Sequence, residues 1–228
     1  MNYYPHLSQY FFCDYLMFII TIITFIVSVK YSKGQRQLKL IPYYLGAALL
    51  QDCIYFYNYL IEGTSSVTGM QSISVNIFMV IEFIIFYHYL YHIISSPKKK
   101  LVMKFIFISF LSIILFSWII MPFSFTHILL HSVVLESLCL IVPCLFYFYQ
   151  LFATPEQLIL KNHPSFWIVT GIFFYNCCSI PIFLSATYIS INLPSYLNAI
   201  FALNFILYSI LFLLITRAYL CRKKDISY

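Results

Sequence analysis

The chain has 228 residues, of which 62% are hydrophobic and only 9% are charged, and its mean hydropathy is +0.90. A soluble domain is about 45–50% apolar and about 25% charged, so this composition excludes a water-soluble fold. The 13 Lys and Arg outnumber the 7 Asp and Glu, and they stand in short groups beside apolar runs. Such groups indicate contact with anionic lipid headgroups and give no support to nucleic-acid binding.

Seven apolar runs follow one another along the chain, and each is long enough to cross a bilayer as a helix. They predict an all-α membrane protein, a seven-transmembrane helix bundle that forms one domain over residues 1–228. The predicted spans cover residues 11–29, 40–61, 73–94, 101–121, 128–152, 165–188 and 196–220. Pro143 and Pro181 fall inside the fifth and sixth spans, where we expect kinks and not helix ends.

The basic residues predict how the bundle is oriented. All 13 lie in or beside the connections that follow the first, third and fifth spans, or at the C-terminal end. The N-terminus and the other three connections contain none. Because cytoplasmic segments carry the excess of Lys and Arg, we predict an N-terminus outside and a C-terminus in the cytoplasm. The expected location is the plasma membrane, taken here as a bacterial inner membrane.

Three acidic residues lie well inside predicted spans, namely Asp52, Glu82 and Glu136. A charge at the centre of a bilayer costs about 2.5–3.5 kcal/mol even on lenient scales, and such residues usually face the bundle interior. At 1.5 Å of rise per residue, all three lie roughly 12–13 Å from the outer end of their helices. Asn176 and Asn204 come out at similar or somewhat greater depth. The sequence thus allows one polar pocket in the outer half of the bundle.

Tyrosines at helical spacing could extend this pocket. Tyr59 is seven residues from Asp52 and Tyr89 is seven from Glu82, so each pair shares a helix face. Tyr147 is eleven residues, about three turns, from Glu136. Two alternatives stay open: the tyrosines can belong to an interfacial aromatic belt, and the acids can be protonated residues that hold neighbouring helices together.

A metal site has one weak sequence indication. His127 and His131 are four residues apart at the outer end of the fifth span, a spacing that suits a metal. His88 and His92 have the same spacing in the third span. No third ligand can be named, and the sequence predicts no cofactor.

Three short motifs resemble those of a known group of proteins. Residues 75–83 read VNIFMVIEF, residues 135–138 read LESL, and residues 162–167 read NHPSFW. Together they resemble a family of small uncharacterised bacterial seven-helix integral membrane proteins. The resemblance implies the seven-helix fold and points to Glu82 and Glu136. It implies no activity, although some such proteins look like the membrane halves of sensory systems.

Three functional hypotheses follow. The first is a receptor-like or sensory membrane protein that binds a ligand in the acidic pocket and signals through a cytoplasmic or membrane partner. The second is a small secondary transporter, or cation- or proton-coupled carrier, with Asp52, Glu82 and Glu136 as the coupling residues. The third is an intramembrane metal-dependent hydrolase that uses His127 and His131, and it is the least favoured because the sequence otherwise contains no enzyme motif.

Overall fold

The computed structural model describes residues 7–32, 37–62, 69–120, 130–153, 163–193 and 196–221. These ranges contain seven α-helices, one short 3-10 helix at Gln37–Leu40, and no strand. The helices are α1 (Leu7–Tyr31), α2 (Ile41–Glu62), α3 (Gly69–Ile93), α4 (Pro97–Ile120), α5 (Leu130–Ala153), α6 (Pro164–Asn192) and α7 (Leu197–Cys221). The all-helical architecture predicted from the sequence is therefore confirmed for the described part of the chain.

Six of these helices are long and apolar enough to cross a membrane, all except α2. The helix α2 has 22 residues, but it carries Gln51, Asp52 and several tyrosines, which lower its hydropathy. The protein is thus a multi-pass membrane helical bundle with six candidate spans among the described residues.

The predicted helix boundaries agree with the structure within a few residues. The largest differences are at one end each of α1, α3, α4 and α6, where the helix extends four residues beyond the prediction. Pro97 and Pro164 begin α4 and α6, because proline suits the first turn of a helix, where no backbone donor is needed. Both α5 and α6 continue through their internal prolines, Pro143 and Pro181, as predicted.

The helix α3 lies at the centre of the bundle. It packs against α2, α4, α5 and α6, while α1 bridges α2 and α7, and α6 lies between α5 and α7. The helix α4 is peripheral and contacts α3 and α5 only through a stripe that contains Met103, Phe110 and Ile114. Most of its other large apolar side chains are exposed, as expected for a face covered by lipid. A polar residue on the inward face of α3 is therefore shielded on all sides.

The basic side chains of the described ranges collect at one end of the bundle, called the basic end below. The 3-10 helix packs against α2 and α3, and its Leu38 carbonyl accepts a 3.0 Å hydrogen bond from Tyr219 near the end of α7. At the same end, the Lys99 ammonium lies 4.3 Å from the Tyr149 ring, and Arg217 stacks over Trp167. The described basic residues at this end are Lys30, Lys39, Lys98, Lys99, Lys100, Lys104 and Arg217.

Close contacts tie α7 to its two neighbours. A Cβ at Gly171 on α6 would lie 2.9 Å from Leu211 Cδ1 and 3.3 Å from Leu214 Cβ on α7, so any larger residue there would displace a side chain of α7. On the other side, the hydroxyl groups of Thr24 and Thr216 lie 2.8 Å apart and join α1 to α7. Small residues and hydroxyl bonds of this kind are how membrane helices associate without help from the hydrophobic effect.

Candidate functional site

Glu82 is the centre of the candidate site. Its side chain is only 3% exposed, because α3 directs it toward the middle of the bundle. The Tyr208 hydroxyl on α7 donates a 2.8 Å hydrogen bond to Oε2, and the Tyr44 hydroxyl on α2 donates one of 3.3 Å to Oε1. Each carboxylate oxygen therefore has a phenol donor from a different helix.

A third tyrosine completes the aromatic side of the site. The Tyr175 ring on α6 lies 4.3 Å, centroid to centroid, from the Tyr208 ring. Its hydroxyl donates to Asn204 Oδ1 on α7 at 3.4 Å. Tyr44 and Tyr208 thus bring hydroxyl groups to Glu82, and the Tyr175 ring lies against that of Tyr208.

Glu136 brings a second carboxyl to the same place from α5. It is 5% exposed, it lies within electrostatic range of Glu82, and its Oε1 is buried with no hydrogen-bond partner among the described residues. No lysine or arginine in the described ranges acts on either carboxyl. We call Glu82, Glu136, Tyr44, Tyr175 and Tyr208 the acid–tyrosine site. It contains a buried pair of acids that no basic side chain of the described ranges neutralises.

Asp52 belongs to a different cluster, between α1 and α2. Its charged neighbour is Asp14 on α1, whose Oδ2 accepts a 3.2 Å hydrogen bond from the Tyr55 hydroxyl. Thr21 Oγ1 lies within hydrogen-bonding reach of the Asp52 carboxyl, while Asp52 Oδ2 is buried and has no hydrogen-bond partner in the described part of the chain. The sequence placed three acids at one depth and left open whether they face each other. The structure brings Glu82 and Glu136 together and groups Asp52 with Asp14.

The remaining predicted pocket residues divide between the site and its surroundings. Asn204 contacts Tyr175, but the Asn176 amide donates to the Ile172 carbonyl of its own helix at 2.7 Å. Tyr89 and Tyr147 are buried next to each other, two to three turns from the acids toward the basic end. The side chain of Tyr59 lies outside the described residues.

The histidines do not assemble into a metal site in the described ranges. His131 is exposed on α5, and His127 lies outside the described residues. The His88 and His92 rings are 4.4 Å apart, but both are exposed. No group of three or more His, Cys, Asp or Glu side chains suited to a metal occurs in the part of the chain that the structure describes.

Neither Asp14 nor the two tyrosines that donate to Glu82, Tyr44 and Tyr208, were predicted from the sequence. Tyr208 is four residues from Asn204 and shares its helix face, which was a usable signal. Asp14 is an acid inside an apolar run like the other three, but it is close to the start of its predicted span. No periodicity in the sequence indicates Tyr44, because its partner Glu82 is on another helix.

Comparison with known proteins adds nothing to this geometry: no family model, curated protein or solved structure matches the chain. The resemblance based on residues 75–83, 135–138 and 162–167 stays a prediction. What the structure defines is the class, a multi-pass membrane bundle with a buried acid–tyrosine site.

Proposed function

We propose that all seven helices cross the membrane, with the N-terminus outside, the C-terminus in the cytoplasm, and a bacterial inner membrane as the location. At 22 residues, α2 is about 33 Å long, enough for a hydrocarbon core of about 30 Å. Its Tyr44 and Asp52 are buried inside the bundle, so these two polar side chains do not face lipid, while Tyr43 and Tyr57 are exposed. The collection of basic residues at one end supports the orientation.

Reporter fusions test this topology. Green fluorescent protein fused to the C-terminus should fluoresce, and alkaline phosphatase fused there should be inactive. Phosphatase fused after residue 66, beyond α2, should be active because that point would lie outside. An inactive phosphatase after residue 66 would show that α2 does not cross the membrane.

We further propose that the protein is a receptor-like, sensory membrane protein whose acid–tyrosine site binds a small organic ammonium ion. The observation that carries this proposal is that Glu82 accepts two phenol hydrogen bonds while Glu136 lies beside it, with no basic side chain of the described ranges as counter-charge. Two donors on one carboxylate stabilise its charged form. A buried carboxylate that keeps its charge requires a cation, and the tyrosine rings of this site suit an ammonium through cation–π attraction.

The geometry also provides a way to transmit binding. The Tyr175 and Tyr208 rings are in contact, so a ligand between them would separate α6 from α7. The helix α7 continues to the basic end, where Tyr219 holds the 3-10 helix through the Leu38 carbonyl. A ligand that favours the separated arrangement would shift the population toward it, and a cytoplasmic or membrane partner at the basic end would detect the change.

A second function, a proton- or cation-coupled carrier, is favoured by the proximity of Glu82 and Glu136. Two intramembrane carboxyls without a cation form the type of pair that proton-coupled transporters use. Its expected residues are the same as those of the receptor, so only transport distinguishes the two functions.

One set of measurements on the full chain separates these functions. With tetramethylammonium as the probe, we expect a saturable rise in thermal stability in nanodiscs, lost in Glu82→Gln and kept in the α4 control Ser117→Ala. In proteoliposomes, we expect the wild-type chain to show no more proton or sodium flux than the Glu82→Gln variant. Flux in the wild-type chain that Glu82→Gln abolishes would support the carrier instead of the receptor. If neither binding nor flux is detected, the acids have a purely structural role.

A further inference from the structure

The exposed face of α3 carries two histidines near the basic end that the proposed function does not use. Ile77, Ile84 and His88 follow one another at intervals of seven and four residues, so they share one helix face, and all three are exposed. His92 is one turn further on and is exposed as well. Its ring lies 4.4 Å from that of His88, so the two imidazoles form one polar patch on an otherwise apolar, lipid-facing stripe.

Ring contacts connect this patch to the first turn of α4. The Tyr91 ring lies 6.2 Å from the His92 ring, and the Lys100 ammonium lies 5.2 Å from the centre of the Tyr91 ring. Lys100 therefore stands at the edge where α3 and α4 meet, on the side of the two histidines.

Lys104 follows Lys100 one turn along the same edge. On α3, the Tyr87 ring lies 4.6 Å from the ring of Phe107 on α4. Because Lys104 lies between Lys100 and Phe107, it is level with the turn of α3 that begins at Tyr87 and contains His88. Lys104 and His88 are both exposed, so a lysine and a histidine from neighbouring helices face the lipid at one level.

Lys104 carries a charge on the lipid-facing side of a candidate span. It is seven residues, about 10 Å, along α4 from Pro97. Its exposed neighbours on α4 are apolar and include Leu101, Phe105 and Ile108. The stem of a lysine can lie along such a surface while its ammonium reaches toward the lipid headgroups. Because a charge at this depth is costly without a partner, the ammonium requires an anion there.

The two helices supply no such anion themselves. The helix α4 contains no Asp or Glu, and α3 contains none after Glu82. We propose that Lys100, Lys104, His88 and His92 bind the phosphate of one anionic phospholipid at the edge between α3 and α4. The ammonium groups supply charge, the imidazoles supply N–H donors, and the exposed apolar side chains of α4 contact the acyl chains. Basic pockets between membrane helices hold acidic headgroups in this way.

Lys99 on the same helix provides the comparison, because it points elsewhere. Its ammonium donates to the Phe146 carbonyl on α5 at 3.3 Å and lies 4.3 Å from the Tyr149 ring. Lys99→Gln therefore removes the same charge from the same helix without touching the proposed lipid site. Lys30→Gln is a second control, at an exposed position on α1, which bridges α2 and α7.

Native mass spectrometry of the delipidated full chain in detergent tests this site, with phosphatidylglycerol or phosphatidylcholine added in steps. We expect one phosphatidylglycerol to bind in a saturable way and more tightly than phosphatidylcholine. The dissociation constant should rise about fivefold in Lys104→Gln and about thirtyfold when Lys100→Gln is added, from the usual contribution of a lysine near anionic lipid. Lys99→Gln and Lys30→Gln should leave it unchanged.

Two further variants and two outcomes keep the test decisive. His88→Leu should weaken phosphatidylglycerol binding by less than Lys104→Gln, and Lys104→Arg should retain it; both side chains are exposed, so neither change opens a cavity. Equal weakening in Lys99→Gln and Lys104→Gln would overturn the site in favour of a diffuse attraction to surface charge. Equal binding of phosphatidylcholine, or displacement of the lipid by excess inorganic phosphate, would overturn the assignment to an anionic phospholipid.

Discussion

The bond between Tyr208 and Glu82 gives the sharpest prediction, because removing one oxygen atom tests it. In Tyr208→Phe the ring stays packed between Tyr175, at 4.3 Å, and Phe212, at 5.8 Å, so no cavity opens beside these neighbours. What is lost is the 2.8 Å bond to Glu82 Oε2. Tyr44→Phe is the matched variant, since it removes the longer 3.3 Å bond to the other oxygen of the same carboxylate.

The expected loss of unfolding free energy in Tyr208→Phe depends on whether Glu82 carries a charge. Hydrogen bonds to charged groups contribute about 1.5–3 kcal/mol, whereas bonds between membrane helices average about 0.6 kcal/mol. With a charged Glu82, we expect Tyr208→Phe to lower the free energy of unfolding by about 1.5–3 kcal/mol. Tyr44→Phe should cost less, about 0.5–1.5 kcal/mol, because its bond is longer.

The assay is equilibrium unfolding in mixed micelles with increasing SDS, followed by circular dichroism. A double-mutant cycle with Glu82→Gln isolates the pairwise energy, which should be largest for Tyr208. A loss of about 0.6 kcal/mol or less in Tyr208→Phe would refute the charged Glu82. Equal losses in the two tyrosine variants would refute the geometric ranking.

Two other predictions concern the contacts of α7. Gly171→Ala should destabilise the bundle by about 1–3 kcal/mol, because its Cβ would overlap the Leu211 methyl group, and the buried Leu211 must leave its position or the helices must move apart. Gly46→Ala is the control and should be neutral or stabilising, since its Cβ would meet Phe25 at an ordinary 3.6 Å; equal losses in SDS unfolding would contradict this. Thr24→Val should lower the free energy of unfolding by about 0.6 kcal/mol, because it removes the hydrogen bond to Thr216. A loss above about 1.7 kcal/mol would exceed what one hydrogen bond between membrane helices contributes and would contradict this reasoning.

The helices could be located from the sequence because lipid imposes a simple rule on composition. A segment inside the membrane must be apolar and about 20 residues long, so each run and each basic group marks an element or its end. The helix α2 was also located, at residues 40–61, but it is less apolar than the others because it carries Gln51 and Asp52, of which Asp52 is buried inside the bundle. Mean hydropathy is calculated from the residues of one segment and ignores the helices that pack against it. It therefore underestimates the tendency of such a helix to cross the membrane.

The site could be predicted only in part, for a related reason. Helical periodicity shows which residues share a face, and it led to Tyr89 and Tyr147 as companions of the acids. Residues seven positions apart are about 10 Å apart along the axis, too far for a direct bond. The real donors, Tyr44 and Tyr208, reach Glu82 from other helices, and contacts between helices depend on packing that a single sequence does not encode in any regular spacing.

The location of Tyr208 near the end of the chain has a consequence for biosynthesis. Glu82 is made 126 residues before the tyrosine that forms its shorter hydrogen bond. At a synthesis rate of about 5–20 residues per second, Tyr208 is made roughly 6–25 s after Glu82. During this interval the Tyr44 hydroxyl, which is made before Glu82, is the only one of its two phenol donors that exists. The acid–tyrosine site is therefore completed only after α7 has been made, and a chain that stops before α7 leaves Glu82 with one of its two donors.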